Sequence, residues 1–88
     1  MTKREITVRL DGGLETRPVA LLVQMASQFQ SDVYVESENR RVNAKSIMGM
    51  MSLNILPGKE LKVITKGNDE QQAMDEIEAY LTAKASFA

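Results

Sequence analysis

The strongest constraint on the fold of this chain is the rhythm of its apolar residues, which switches between period two and helical spacing several times over a short length. Residues 5–10, Glu-Ile-Thr-Val-Arg-Leu, alternate polar and apolar, the pattern of a half-buried strand with Ile6, Val8 and Leu10 facing a core. Asp11-Gly12-Gly13 reads as a loop. Pro18 suits the first turn of a helix and Thr16 its cap, so a helix is expected from about Pro18 to Gln28, with Val19, Leu22, Val23, Ala26 and Phe29 inward. Val33 and Val35 mark a second strand over Asp32 to Glu36, and Ser37-Glu38-Asn39 turns it into a short third strand ending near Val42. Residues 47–53 read as a short helix. Pro57-Gly58 is a turn, and Leu61, Val63 and Thr65 alternate with Lys62, Ile64 and Lys66 in a fourth strand. A last helix begins at Asn68-Asp69-Glu70 and turns Ala73, Met74, Ile77, Tyr80 and Leu81 inward.

The order is β-α-β-β-α-β-α in 88 residues, enough for one small domain. A single antiparallel sheet with its helices on one face accommodates it, an α+β architecture. Right-handed crossovers allow two strand orders, 1-4-2-3 or a ferredoxin-like order with the first and third strands central. Pattern alone does not choose between them.

Composition narrows the function. The chain has no histidine and no cysteine, which removes the commonest general base, imidazole and thiolate metal ligands, phosphohistidine and disulfides. Its carboxylates show no metal-ligand spacing. Eleven basic against twelve acidic residues give no field for drawing in nucleic acid, and the two Phe and two Tyr form no stacking motif. Without a signal-like segment or a membrane-length apolar run, the expectation is a cytoplasmic protein with no cofactor, metal, membrane or direct nucleic-acid contact, and no enzyme.

The segment Lys-Ser-Ile-Met-Gly-Met-Met-Ser-Leu at 45–53 carries the most information. Ser46 precedes the short helix, where its hydroxyl can cap a free N–H of the first turn or accept a phosphate, which the positive end of the helix would favour. Lys45 is adjacent, and Arg40 and Arg41 precede it. On a helical wheel the apolar arc of residues 47–53 spans about 220°, more than one sheet face can cover. Met50 and Leu53 can point inward while Ile47, Met48 and Met51 stay partly exposed. The residues alone thus describe a phosphorylatable docking module. An edge strand and a partly apolar helix can also support a homodimer or strand exchange.

Gly-Leu-Glu-Thr-Arg-Pro at 13–18, Val-Asn-Ala-Lys-Ser-Ile-Met-Gly-Met-Met-Ser-Leu at 42–53 and the element order together resemble the HPr family of the bacterial sugar phosphotransferase system, over nearly the whole chain. In the family's phosphocarriers the first motif reads Gly-x-His-Ala-Arg-Pro, its histidine bearing the phosphoryl group. Here that position is Glu15, followed by Thr16. The pattern is most similar to the Crh branch, which lacks the histidine and keeps the regulatory serine, although glutamine is usual there at position 15. The resemblance implies an open-faced β-sandwich with strand order 1-4-2-3 and three helices on one face. It further implies phosphorylation of Ser46 by HPr kinase/phosphorylase and action as corepressor of a LacI-type catabolite control repressor. By position Ile47, Met48 and Met51 match the family's apolar docking patch, Arg17 its active-site arginine, and Ala20, Leu21 and Gln24 the neighbouring helix face.

Glu15 itself reads as a solvated carboxylate near a helix start, loosely paired with Arg17, or as a fixed charge that tunes partner choice. Two other classes are considered: an acylphosphatase-like enzyme using Arg17 as an anion clamp, which has no paired catalytic group, and a carrier using Glu15 as an acyl-phosphate acceptor.

Overall fold

A computed structural model of the chain describes residues 1–9, 16–53 and 58–82. In order, the elements are β1 (Thr2–Thr7), α1 (Thr16–Ser27), β2 (Asp32–Ser37), β3 (Arg40–Asn43), α2 (Ile47–Met51), β4 (Glu60–Lys66) and α3 (Glu70–Thr82). The strands form one antiparallel sheet in the order β1-β4-β2-β3. Of the two orders that pattern left open, this is the one the family resemblance implies.

All three helices cover one face of that sheet. Ile6, Val33, Val35, Leu61 and Val63 from the strands join Val19, Leu22, Val23 and Ala26 of α1, Met50 of α2, and Met74, Ile77 and Leu81 of α3 in one core cluster. Period two on the strands and helical spacing on α1 and α3 deliver these residues to one layer. On its helix side, β1 carries Thr2 and Arg4. Thr2 Oγ1 donates to Glu70, and the Arg4 guanidinium pairs with Asp75 and Glu78, stitching this edge strand to α3.

Three sequence expectations shift. The first strand spans Thr2–Thr7 rather than 5–10, because its register is set by main-chain pairing from Thr2↔Thr65 to Thr7↔Glu60. Val8 stays buried and continues that edge through bonds with Lys59 and Gly58, while Leu10 and Asp11-Gly12-Gly13 lie outside the described residues. Thr16 is the first residue of α1 rather than a cap before it. Ile64, expected on the polar side of β4, is buried but does not belong to the helix-side core. It is paired with Lys3 on one side and Tyr34 on the other, so on the open face two larger side chains flank it.

The hairpin between β2 and β3 turns at Glu38 and Asn39, both with positive φ, 50° and 68°, the left-handed pair that matches the twist of a two-residue hairpin. Glu38 also pairs with Lys59, which holds its carboxyl below the usual range.

Candidate functional site

The site is built where β3 ends. Asn43 Oδ1 accepts from the Lys45 N–H at 2.8 Å, a local turn that swings the chain off the sheet, and the Ser46 N–H donates to the Asn43 carbonyl at 3.0 Å. Ser46 then adopts an extended conformation, φ −112° and ψ 117°, as the N-cap of α2. Its Oγ accepts from the Gly49 N–H at 3.2 Å, and its carbonyl accepts the first helical bond from Met50 at 3.0 Å. A capping hydroxyl satisfies one of the donors that a helix start leaves open. Ser46 is only half-buried. Solvent therefore reaches the residue that closes the helix.

Gly49 matters to that access. A Cβ at this position would lie 3.4 Å from both Ser46 Oγ and Val42 Cβ, in van der Waals contact with each, so glycine leaves that side of the hydroxyl uncovered. A lone glycine among methionines was the available signal for this role, and motif reading alone passed over it.

Past the cap, α2 divides its side chains sharply. Met50 is 1% exposed and anchors the helix in the core, with Leu53 buried just beyond it, whereas Ile47, Met48 and Met51 are 47%, 84% and 47% exposed. The inward and outward sets are those expected from the wheel. α2 packs against α1 and β3. On α1, Leu21 is 48% exposed, Gln24 is exposed and Ala20 is half-buried, so the helix neighbouring α2 also presents apolar surface. Arg17 falls in the first turn of α1, but its side chain, like the whole of Glu15, lies outside the described residues.

The nearby cations are engaged elsewhere. Lys45 Nζ donates to the Phe29 carbonyl at 2.9 Å. Arg40 reaches the far end of α2, where it donates to the carbonyl and hydroxyl of Ser52, both at 3.2 Å. Arg41 pairs with Glu36 at 2.6 Å and lies over the Tyr34 ring, 5.7 Å from its centroid. Adjacency in sequence suggested a basic cluster around Ser46, and the fold draws these side chains away. What faces the hydroxyl is the open first turn of α2. Among the described residues, no group of three or more acidic side chains is placed to hold a metal ion.

Besides Glu38 in the hairpin, two carboxyls with displaced pKa values stand at the start of α3. Hydrogen bonds from the Ser31 hydroxyl, the Gln30 N–H and the Ser31 N–H hold Asp69 below its usual range. The Thr2 hydroxyl, the N-terminal ammonium and the Gly67 N–H bring Glu70 down to about 2. These groups tie loops to the helix layer and do not touch Ser46.

Comparison with known proteins agrees with this geometry. The family model described as "PTS HPr component phosphorylation site" matches residues 2–83. The HPr-like protein Crh of Bacillus subtilis is 48% identical over 81 residues, covering 92% of this chain and 95% of that protein. Among solved structures, the phosphocarrier protein HPr from Bacillus anthracis superposes with a TM-score of 0.89 at 41% identity, covering 91% of this chain and 95% of its own. Crystalline selenomethionyl Crh of B. subtilis, described as a swapped, intertwined dimer, gives a TM-score of 0.74 at 48% identity, covering 92% and 93%.

Proposed function

The chain belongs to the HPr family, and from that membership we propose a regulatory phosphoprotein, modified at Ser46, in place of a phosphohistidine carrier. The observation that carries this reading is the half-buried capping hydroxyl of Ser46 set directly against the exposed Ile47, Met48 and Met51, in a chain that has no histidine and bears Glu15 at the carrier position. A phosphohistidine carrier needs an imidazole nitrogen. A docking module needs a modifiable group beside an apolar contact.

In this reading HPr kinase/phosphorylase transfers a phosphoryl group from ATP or pyrophosphate to Ser46 Oγ, which loses its proton. The product adds a charge of about −1.5 to −2 beside the patch. The open first turn of α2 supplies N–H donors and the positive end of its dipole, which accommodate the phosphate while Lys45, Arg40 and Arg41 are engaged elsewhere. The phosphorylated protein then serves as corepressor of a LacI-type catabolite control repressor. Ile47, Met48 and Met51, together with Ala20, Leu21, Gln24 and Arg17, form the docking surface, while the fixed charge of Glu15 tunes partner choice. Burying one Met or Ile is worth roughly 1.5–3 kcal/mol, so three suffice for a transient, micromolar-class contact once association costs are subtracted. The whole chain acts as one HPr-like unit in the cytoplasm, with no cofactor and no direct contact with nucleic acid.

The test is site mapping by mass spectrometry after incubation with the kinase and ATP, with Ser46→Ala as control, followed by titration of both forms against the repressor. One phosphate on Ser46 that creates repressor binding is the expected result. A folded protein that takes no phosphate overturns it. Glu15→Gln in the phosphorylated protein tests the role of that charge, and unchanged repressor affinity removes Glu15 from the contact.

Homodimerisation by strand exchange is a second reading, supported by one feature. β1 is an edge strand, held along a single ladder to β4, and the similar Crh of B. subtilis is described as a swapped dimer. Light scattering across a concentration series reports it, and a monomer mass at every concentration rejects it.

A further inference from the structure

Six methionines in 88 residues span the whole range of burial, and two of the exposed ones lie on the helix that Ser46 caps. Met48 is 84% exposed and Met51 47%, while Met50, between them on the same short helix, is 1% exposed and Met74 in the core is at 0%. Met48 and Met51 are three residues apart, so they share one face of α2. We propose that Met48, seconded by Met51, is a site of reversible oxidation by hydroperoxides, and that its sulfoxide switches off docking by the Ser46-phosphorylated protein. The second half of this inference rests on the reading of the patch given above.

The chemistry requires only an accessible thioether. The sulfur lone pair attacks the distal oxygen of a hydroperoxide, the O–O bond breaks, and the product is Met sulfoxide plus water when the oxidant is hydrogen peroxide. Sulfur is oxidised by two electrons and the peroxide is reduced by two. Nothing in the fold has to open for Met48, whereas Met50 and Met74 are reached only through unfolding. A sulfoxide is polar and a strong hydrogen-bond acceptor, so a partner that buries this side chain in an apolar pocket meets an unsatisfied oxygen. The two chemistries on α2 therefore act in opposite senses. Phosphate at the cap creates recognition, and oxygen on the neighbouring methionine removes it. Reduction by the methionine sulfoxide reductases restores the thioether.

The experiment treats the full folded chain, phosphorylated on Ser46, with graded hydrogen peroxide, maps sulfoxides by peptide mass spectrometry, and measures binding to the LacI-type repressor before oxidation, after oxidation, and after reduction by both reductases. Expected are oxygen uptake on Met48 first and Met51 next, with Met1, 66% exposed, as an external reference and Met50 and Met74 spared. Thermal unfolding stays unchanged, and repressor affinity falls about tenfold or more and returns on reduction. Met50 oxidising as fast as Met48, or repressor affinity indifferent to the Met48 sulfoxide, overturns the inference. Absence of repressor binding before any oxidation overturns the functional reading instead, and an oxidation map in the expected order then still establishes Met48 as the oxidation site.

Discussion

The ammonium of Lys45 donates to the main-chain carbonyl of Phe29, 2.9 Å away, although Ser46 is its immediate neighbour in sequence. That carbonyl belongs to the turn leaving α1, where a cation satisfies an open acceptor and offsets the negative end of the helix. On the other side of the same turn, Asp69 accepts from the Gln30 and Ser31 N–H groups, each at 2.9 Å. The end of α1 is thus clamped between Lys45, two residues before α2, and Asp69, the residue before α3. Lys45→Met should lower stability by about 1 kcal/mol in urea unfolding and leave phosphorylation of Ser46 by the kinase in place. Loss of phosphorylation with stability unchanged would assign Lys45 to kinase recognition instead.

Ser46→Ala removes the cap bond to Gly49 and should cost about 1 kcal/mol. Ser46→Asp, which can still accept from the first turn and places a negative charge at its positive end, should stay within a few tenths of a kcal/mol of the wild type. Denaturant midpoints for the two variants check both values.

Met50→Ala and Met48→Ala should separate stability from recognition. Met50 is in the core and its truncation should cost about 2–5 kcal/mol. Met48 is in solvent, so its truncation should change stability by no more than about 0.5 kcal/mol while weakening the phosphorylated protein's binding to the repressor. Calorimetric unfolding and repressor titration of the same two variants read the contrast.

Gly67→Ala should destabilise by roughly 1–3 kcal/mol. Gly67 has φ 150°, and a Cβ there would lie 2.6 Å from Ser31 Oγ and 2.7 Å from its Cα. The backbone of the clamped turn would have to move, so amide exchange at Gln30 and Ser31 should accelerate in this variant.

Acid should unfold the protein through Glu70 and Asp69. Both carboxyls are held below their ordinary values in the fold, Glu70 at about 2 against 4.5. As pH falls, the unfolded chain therefore takes up protons before the native state does. The contribution of Glu70 is complete above about pH 4.5 and is lost progressively as pH drops towards 2, and that of Asp69 is likewise lost on acidification. Glu70→Gln should flatten that limb of the stability profile, and Asp69→Asn should act in the same direction, as followed by urea unfolding at successive pH values.

The local pattern already contained the seven elements, the inward faces of α1 and α3, the cap at Ser46 and the split between Met50 and the exposed Ile47, Met48 and Met51. Each of these depends on residues within a turn or two of one another, where helical or strand periodicity and capping chemistry apply directly. Two long motifs pointed to the family and, through it, to the strand order.

Only the tertiary structure decided which partners those elements found. β1 shifted to Thr2–Thr7 because its register is a matter of main-chain bonds to β4, more than 50 residues away, which alternation within one strand cannot specify. Ile64 looked solvent-facing beside Lys62 and Lys66, yet it is buried on the open face, where pairing in a central strand sets Lys3 and Tyr34 on either side of it. Lys45, Arg40 and Arg41 lie close to Ser46 in sequence but bond to Phe29, Ser52 and Glu36. A long flexible cation goes to whichever acceptor the assembled fold brings within reach, and that acceptor is set by packing between segments.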